Sequence, residues 1–146
     1  MDLGGWDTHE VQGSTDGELH QLMASFAGGL AAFHADLQNA GRDDVTTVAL
    51  SEFGRNVFEN ASAGTDHGYG GVLFALGAHV NGGRIVTEWP GLNDGELYED
   101  QDLRITIDYR DVLSELLERR LGTPDASAVF DDPAYVPRIR GLFAPS

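Results

Sequence analysis

Val45-Thr46-Thr47-Val48-Ala49-Leu50, running into Ser51-Glu52-Phe53-Gly54-Arg55, is the stretch on which the fold reading turns. The first six residues are apolar and rich in β-branched side chains. That pattern suits a short strand buried on both faces of a parallel sheet. The next five would then lie at the strand's carboxyl end, where open α/β sheets place their ligands.

The flanking sequence extends this reading in both directions. Upstream, Thr15-Asp16-Gly17-Glu18 has the spacing of a capping box, with Thr15 as N-cap. Leu19, Leu22, Met23, Phe26, Leu30, Phe33 and Leu37 follow at helical spacing, and Gly41 is a natural stop. A helix is therefore expected over residues 15–40, weakened in the middle by Gly28-Gly29. Downstream, residues 51–71 read as a long functional loop. Residues 72–80 form a second apolar run, strand or helix, ended by Asn81-Gly82-Gly83. Residues 88–103 read as irregular surface structure, and Arg104-Ile105-Thr106-Ile107 as a short strand. Asp108 is placed to cap a helix carrying Val112, Leu113, Leu116, Leu117 and Leu121, closed by Gly122 with Pro124 beyond. Residues 123–146 read as an extended tail. This alternation predicts an α/β fold, a mostly parallel sheet flanked by helices, as a single domain over 1–146.

Composition narrows the function classes. The 146 residues are 41% hydrophobic, enough for one domain with a core. A net charge of -15, with all nine basic residues arginine, argues against nucleic-acid binding and against docking on anionic lipid. There is no cysteine, hence no disulfide and no thiol chemistry. No apolar run reaches the ~20 residues a membrane-spanning helix needs. Met1-Asp2-Leu3-Gly4-Gly5 has neither the basic nor the hydrophobic region of a signal peptide.

Three short segments carry chemistry. They are Gly4-Gly5-Trp6-Asp7-Thr8-His9, Ser51-Glu52-Phe53-Gly54-Arg55 and Gly64-Thr65-Asp66-His67-Gly68. Each sets a carboxylate or imidazole beside glycine, where a backbone can turn sharply and a ligand can approach. Together they offer His9 and His67, three carboxylates (Asp7, Glu52, Asp66) and Arg55. Imidazole and carboxylate hold divalent ions, and a guanidinium grips an oxyanion. Glu52 is read as a metal ligand or general base, or as an exposed carboxylate neutralised by Arg55. Asp66 either ligates directly or orients His67, and the second role is preferred.

The order of these motifs resembles a widespread bacterial family, domain of unknown function fifteen-oh-one, related to sulfatases and alkaline phosphatases. The resemblance rests on GGWDTH, a helix, a strand ending SEFGR, GTDHG and an apolar segment ending NGG. Asp108-Tyr109-Arg110-Asp111-Val112 and Leu121-Gly122 extend it to residues 3–122. It implies an alkaline-phosphatase-like domain in which Asp7, His9 and His67 hold one metal. The resemblance puts the second-metal pair on Glu52-Phe53, and Phe53 departs from it because a phenyl ring cannot ligate. The expected ion is zinc, with calcium, manganese or magnesium as alternatives.

The same resemblance implies that the chain is the C-terminal half of such a protein. The nucleophile would lie in an N-terminal half or be supplied by another chain, and members are exported through a signal absent here. Ser51 and Thr8 are accordingly not assigned as nucleophiles. The expected activity is metal-dependent hydrolysis of a small phosphate or sulfate ester, with Glu52 and Arg55 as catalytic groups. Two alternatives stand beside it: a non-catalytic secreted or envelope binding module, and a metal-dependent phosphomutase. His20 and His34 are assigned no chemistry, and His79 is read as a core histidine. Trp6, Tyr69 and Trp89 are read as packing residues.

Overall fold

The computed structural model describes residues 1–145. In chain order it has α1 (Glu18–Asn39), β1 (Thr46–Ala49), β2 (Gly54–Arg55), β3 (His67–Gly68), β4 (Phe74–Gly77) and α2 (Tyr109–Leu121), followed by a turn of 3-10 helix at Ala126–Val129. The chain divides into two compact units. One comprises residues 1–43, 51–72 and 90–104; the other comprises 44–50, 73–89 and 105 onward.

The expected mostly parallel sheet flanked by helices is not formed among the described residues. β1 pairs antiparallel with β4, Thr46 opposite Gly77 and Ala49 opposite Phe74. β2 pairs antiparallel with β3, Gly54 opposite Gly68 and Arg55 opposite His67. A parallel pair needs a long crossover, usually a helix. Residues 50–73 contain no helix and are spent on the β2–β3 ladder. With a single neighbour, β1 is half-buried along its whole length, not enclosed on both faces. The expected strand at Arg104–Ile107 does not form either. Glu52 therefore follows an antiparallel strand, and the ligand-binding logic of an open parallel sheet does not apply to it.

In the first unit, α1 starts later than its capping box implied. Its N-cap is Gly17 (φ 94°), and no side chain caps it. None of its residues is buried. Leu19, Leu22, Phe26, Leu30 and Leu37 are half-buried along one face. That face meets the N-terminal loop, where Trp6 packs edge-on against Phe26 with ring centroids 5.9 Å apart.

The second unit is built on α2, and here the cap reading is confirmed. The Asp108 carboxylate accepts from the Arg110 N–H at 2.9 Å. Gly122 closes the helix at φ 67°, a left-handed conformation that glycine adopts without penalty. The buried face differs from the apolar stripe expected of it. Asp111, Val112, Ser114 and Glu115 are buried, whereas Leu121 is exposed. The reason is the tail, which needs acceptors for its backbone. Glu115 accepts from the N–H groups of Arg140 (2.7 Å), Gly141 (2.9 Å) and Phe143 (2.9 Å). Asp111 accepts from the Arg138 N–H (3.1 Å) and the Tyr135 hydroxyl (3.2 Å), and pairs with the Arg140 guanidinium at 2.8 Å. The tail then pairs with residues 79–81: Asn81 donates to Leu142 O and Ala144 to His79 O, both at 2.8 Å. His79 is not a core histidine. It is exposed, with φ 67°, and only its carbonyl is used in this pairing.

Replacing Glu115 by alanine leaves three backbone N–H groups without their acceptor. At about 1 kcal/mol or more for each, Glu115→Ala is expected to cost at least about 3 kcal/mol. Urea denaturation followed by circular dichroism measures this, and a loss below 1 kcal/mol would contradict the assignment. A second expectation concerns acid. Hydrogen bonds from Arg110 hold both the Asp108 and the Asp132 carboxyls below the usual aspartate range. Groups with depressed folded values stabilise above the unfolded value near 3.8 and lose that contribution as pH falls below it. The melting temperature should therefore drop between pH 5 and pH 3, and by less in Arg110→Met.

Candidate metal centre

All the chemistry-bearing segments lie in the first unit, brought together by two loops that cross. Residues 8–12 run past residues 60–65 and are joined to them by three backbone hydrogen bonds, with side-chain bonds beside these. Val11 donates to Ser62 O (2.9 Å), Gln12 to Ala63 O (2.8 Å) and Thr65 to Thr8 O (3.4 Å). The Gln12 Oε1 atom accepts from both threonine hydroxyls, Thr8 at 2.9 Å and Thr65 at 2.8 Å. The crossing is tight enough that a Cβ at position 64 would overlap the His9 carbonyl, so only glycine fits there.

On this crossing Asp7, His9 and His67 converge. Their ligand atoms all lie within 4.8 Å of one another. Both Nε2 atoms point at one oxygen, Asp7 Oδ1, from 2.9 Å (His9) and 2.6 Å (His67). The two imidazoles lie side by side, centroids 4.8 Å apart. Hydrogen bonding from His67, reinforced by the charges of His9, His67 and Arg55, holds the Asp7 carboxyl below its ordinary range. Asp7 is thus an ionised carboxylate at neutral pH, the form able to ligate a cation.

The structure gives Asp66 a different partner from the one expected. Its Oδ1 faces His9 Nδ1 at 3.1 Å and does not orient His67. Arg55 is also committed. It donates to Thr65 O, to Trp6 O (2.7 Å) and to Asp7 Oδ1 (3.1 Å), tying the N-terminal loop to the β2–β3 ladder. Glu52 is exposed and stands outside the Asp7–His9–His67 group. Thr8 is buried, its hydroxyl donated to Gln12, while Ser51 Oγ accepts from the Phe53 N–H at 3.4 Å.

Two residues that the sequence left unmarked matter here, Gln12 and Asn60, and Phe53 has a role other than the one read for it. Phe53 stacks flat on His67, centroids 4.3 Å apart and planes 9° from parallel, with Arg55 5.0 Å from its ring centroid. A residue that looked like a broken ligand is a wall that fixes the His67 ring. Gln12 joins the two threonines. Asn60 caps its own turn and reaches Asp66. The Asn60-Ala61-Ser62-Ala63-Gly64 pattern, an asparagine followed by a glycine four residues later, was the available signal for the last.

The crossing is also strained. Val11 has φ 44° and Ala63 φ 58°, left-handed conformations that a β-branched residue and an alanine rarely adopt. Val11→Gly relieves the first and is expected to raise stability by about 1 kcal/mol. Chemical denaturation of the variant tests this; destabilisation would show that the exposed valine side chain contributes more than its backbone costs.

Comparison with known proteins adds family membership alone. No curated protein and no solved structure matches the chain. The sequence matches the family described as Protein of unknown function (DUF1501) over residues 1–132. That span takes in Asp7, His9 and His67, both loops of the crossing and α2, and on that basis the chain belongs to the DUF1501 family.

Proposed function

We propose that the Asp7–His9–His67 group binds one divalent metal ion, zinc first, and that the domain is the metal-holding part of a phosphate- or sulfate-ester hydrolase. The observation that supports this most is the aim of two imidazole Nε2 atoms at a single ionised carboxylate, within 2.9 Å. Two neutral imidazoles and one carboxylate suit zinc, and three protein ligands leave a coordination position for water or substrate. The residues also fit in spacing. A tetrahedral ion with ligands at about 2.0–2.1 Å needs donor atoms about 3.3 Å apart; Asp7 Oδ1 lies 2.9 and 2.6 Å from the two imidazoles, so these exposed side chains would open by a few tenths of an ångström to admit it.

When bound, the ion supplies a Lewis acid that polarises an ester oxygen and a bound water of lowered pKa. The chain's own groups set the rest. Asp66 holds His9 by Nδ1 and leaves Nε2 for the ion. Phe53 holds the His67 ring by stacking. Arg55 is positive and adjoins Asp7, so it contributes favourable charge for an anionic ester beside the metal.

One observation favours a second reading, a metal-binding module without catalysis. The Arg55 guanidinium is already bonded to Trp6, Thr65 and Asp7, and Glu52 lies outside the ligand group. Neither group assigned to catalysis is therefore poised as drawn.

Titration calorimetry with Zn²⁺ and Co²⁺ tests the metal. The wild-type chain is expected to bind one equivalent, and His9→Ala or His67→Ala to weaken binding at least about 100-fold, as loss of a direct ligand should. Unchanged affinity in both variants would overturn the site. Turnover of aryl phosphate or aryl sulfate by the metal-loaded protein supports hydrolysis, and its absence in a protein that binds metal supports the binding module.

A further inference from the structure

The geometry points to Asn60 as the positioning residue of this centre: it acts through Asp66 to set the His9 imidazole for metal binding. The inference rests on the metal-binding reading and adds a residue that no motif marked.

Asn60 is half-buried and bonded through both ends of its amide. Its Oδ1 accepts from the N–H groups of Ser62 (2.9 Å) and Gly64 (3.0 Å), which makes the turn of the second loop. Its Nδ2 donates twice, to the His9 carbonyl (3.0 Å) and to Asp66 Oδ1 (2.9 Å). The same Asp66 oxygen faces His9 Nδ1 at 3.1 Å. One side chain thus fixes the backbone of His9 and, at one remove, its ring.

The consequence for a metal is directional. An imidazole can ligate through either nitrogen, and the one left free is decided by what the other one bonds. Asp66 Oδ1 is held in place by the Asn60 amide at 2.9 Å while it faces His9 Nδ1. With the Asp66 oxygen occupying the Nδ1 side of the ring, Nε2, the atom directed at Asp7, is the one left for the ion. Without Asn60, Asp66 is an exposed side chain with a single remaining tether. The ring would then sample orientations in which His9 and His67 no longer share a focus. A partner of this kind contributes about 10- to 100-fold to metal affinity.

A double-mutant cycle on Co²⁺ affinity tests this, with the Co²⁺ absorption spectrum as second readout and melting temperature as folding control. Asn60→Ala and Asp66→Ala are each expected to weaken Co²⁺ binding about 10- to 100-fold and to alter the spectrum. Because the one acts through the other, the double variant should lose little more than the weaker-binding single one. Asn60→Ser can still form the turn but cannot reach Asp66, so it should fold as the wild type and bind as Asn60→Ala. Additive losses, or wild-type affinity and spectrum in Asn60→Ser, would overturn the role of Asn60 while the metal site stands. Should the wild type bind no Co²⁺, or Asp7→Ala bind as well as wild type, the site itself is refuted and the role of Asn60 with it.

Discussion

Backbone N–H groups held away from water must find acceptors, and in this chain carboxylate and amide oxygens supply them. The buried hydrophobic side chains among the described residues are few: Leu97, Val112, Ala126 and Phe143. Buried polar ones (Thr8, Asp102, Asp111, Ser114 and Glu115) are as prominent. Each unit has a node of this kind. Glu115 receives three N–H groups of the tail, and Asn60 Oδ1 receives two from its own turn. Where apolar burial is thin, such directed bonds do more to specify one conformation, because an unmet donor costs more than a displaced methyl group.

The candidate centre follows from this. Asp7 and His9 sit on a loop and His67 opens β3, and a loop needs a rigid support to place such side chains. The crossing of residues 8–12 over 60–65 substitutes for regular secondary structure by bonding backbone to backbone, with glycine at the closest approach. The left-handed Val11 and Ala63 mark the local cost of making that crossing. Arg55 then ties the result to the β2–β3 ladder. In unit two the same economy recruits the tail. Residues beyond the family match supply the Phe143 side chain and the N–H groups that α2 receives.

How much was legible in the sequence varied with the range of the interaction. The helix at 109–121 was, down to its Asp108 cap and Gly122 stop, because both signals act within one turn. The candidate trio Asp7, His9 and His67 was marked by glycine-flanked motifs, and the structure brings the three together. The direction of strand pairing was not legible, since the Val45–Leu50 run is compatible with either neighbour. Nor was the polar inner face of α2: Asp111 and Glu115 look like solvent-facing charges until the tail that covers them is in place. The capping box at 15–18 failed for a related reason, the chain entering α1 through a positive-φ glycine instead.

What the sequence determined by itself was thus local: the cap and stop of α2, the body of α1, and the residue types able to bind a divalent ion. Tertiary structure alone decided the pairing. It gave Asp66 to His9 and not to His67, spent Arg55 on three loop oxygens, turned Phe53 into the wall of His67 and made Asn60 the tie between the loops. The physical reason is that hydrogen bonds and ring contacts are short-ranged and directional. Residue type fixes what a side chain can bond, but only the crossing of distant loops fixes which partner lies within 3 Å.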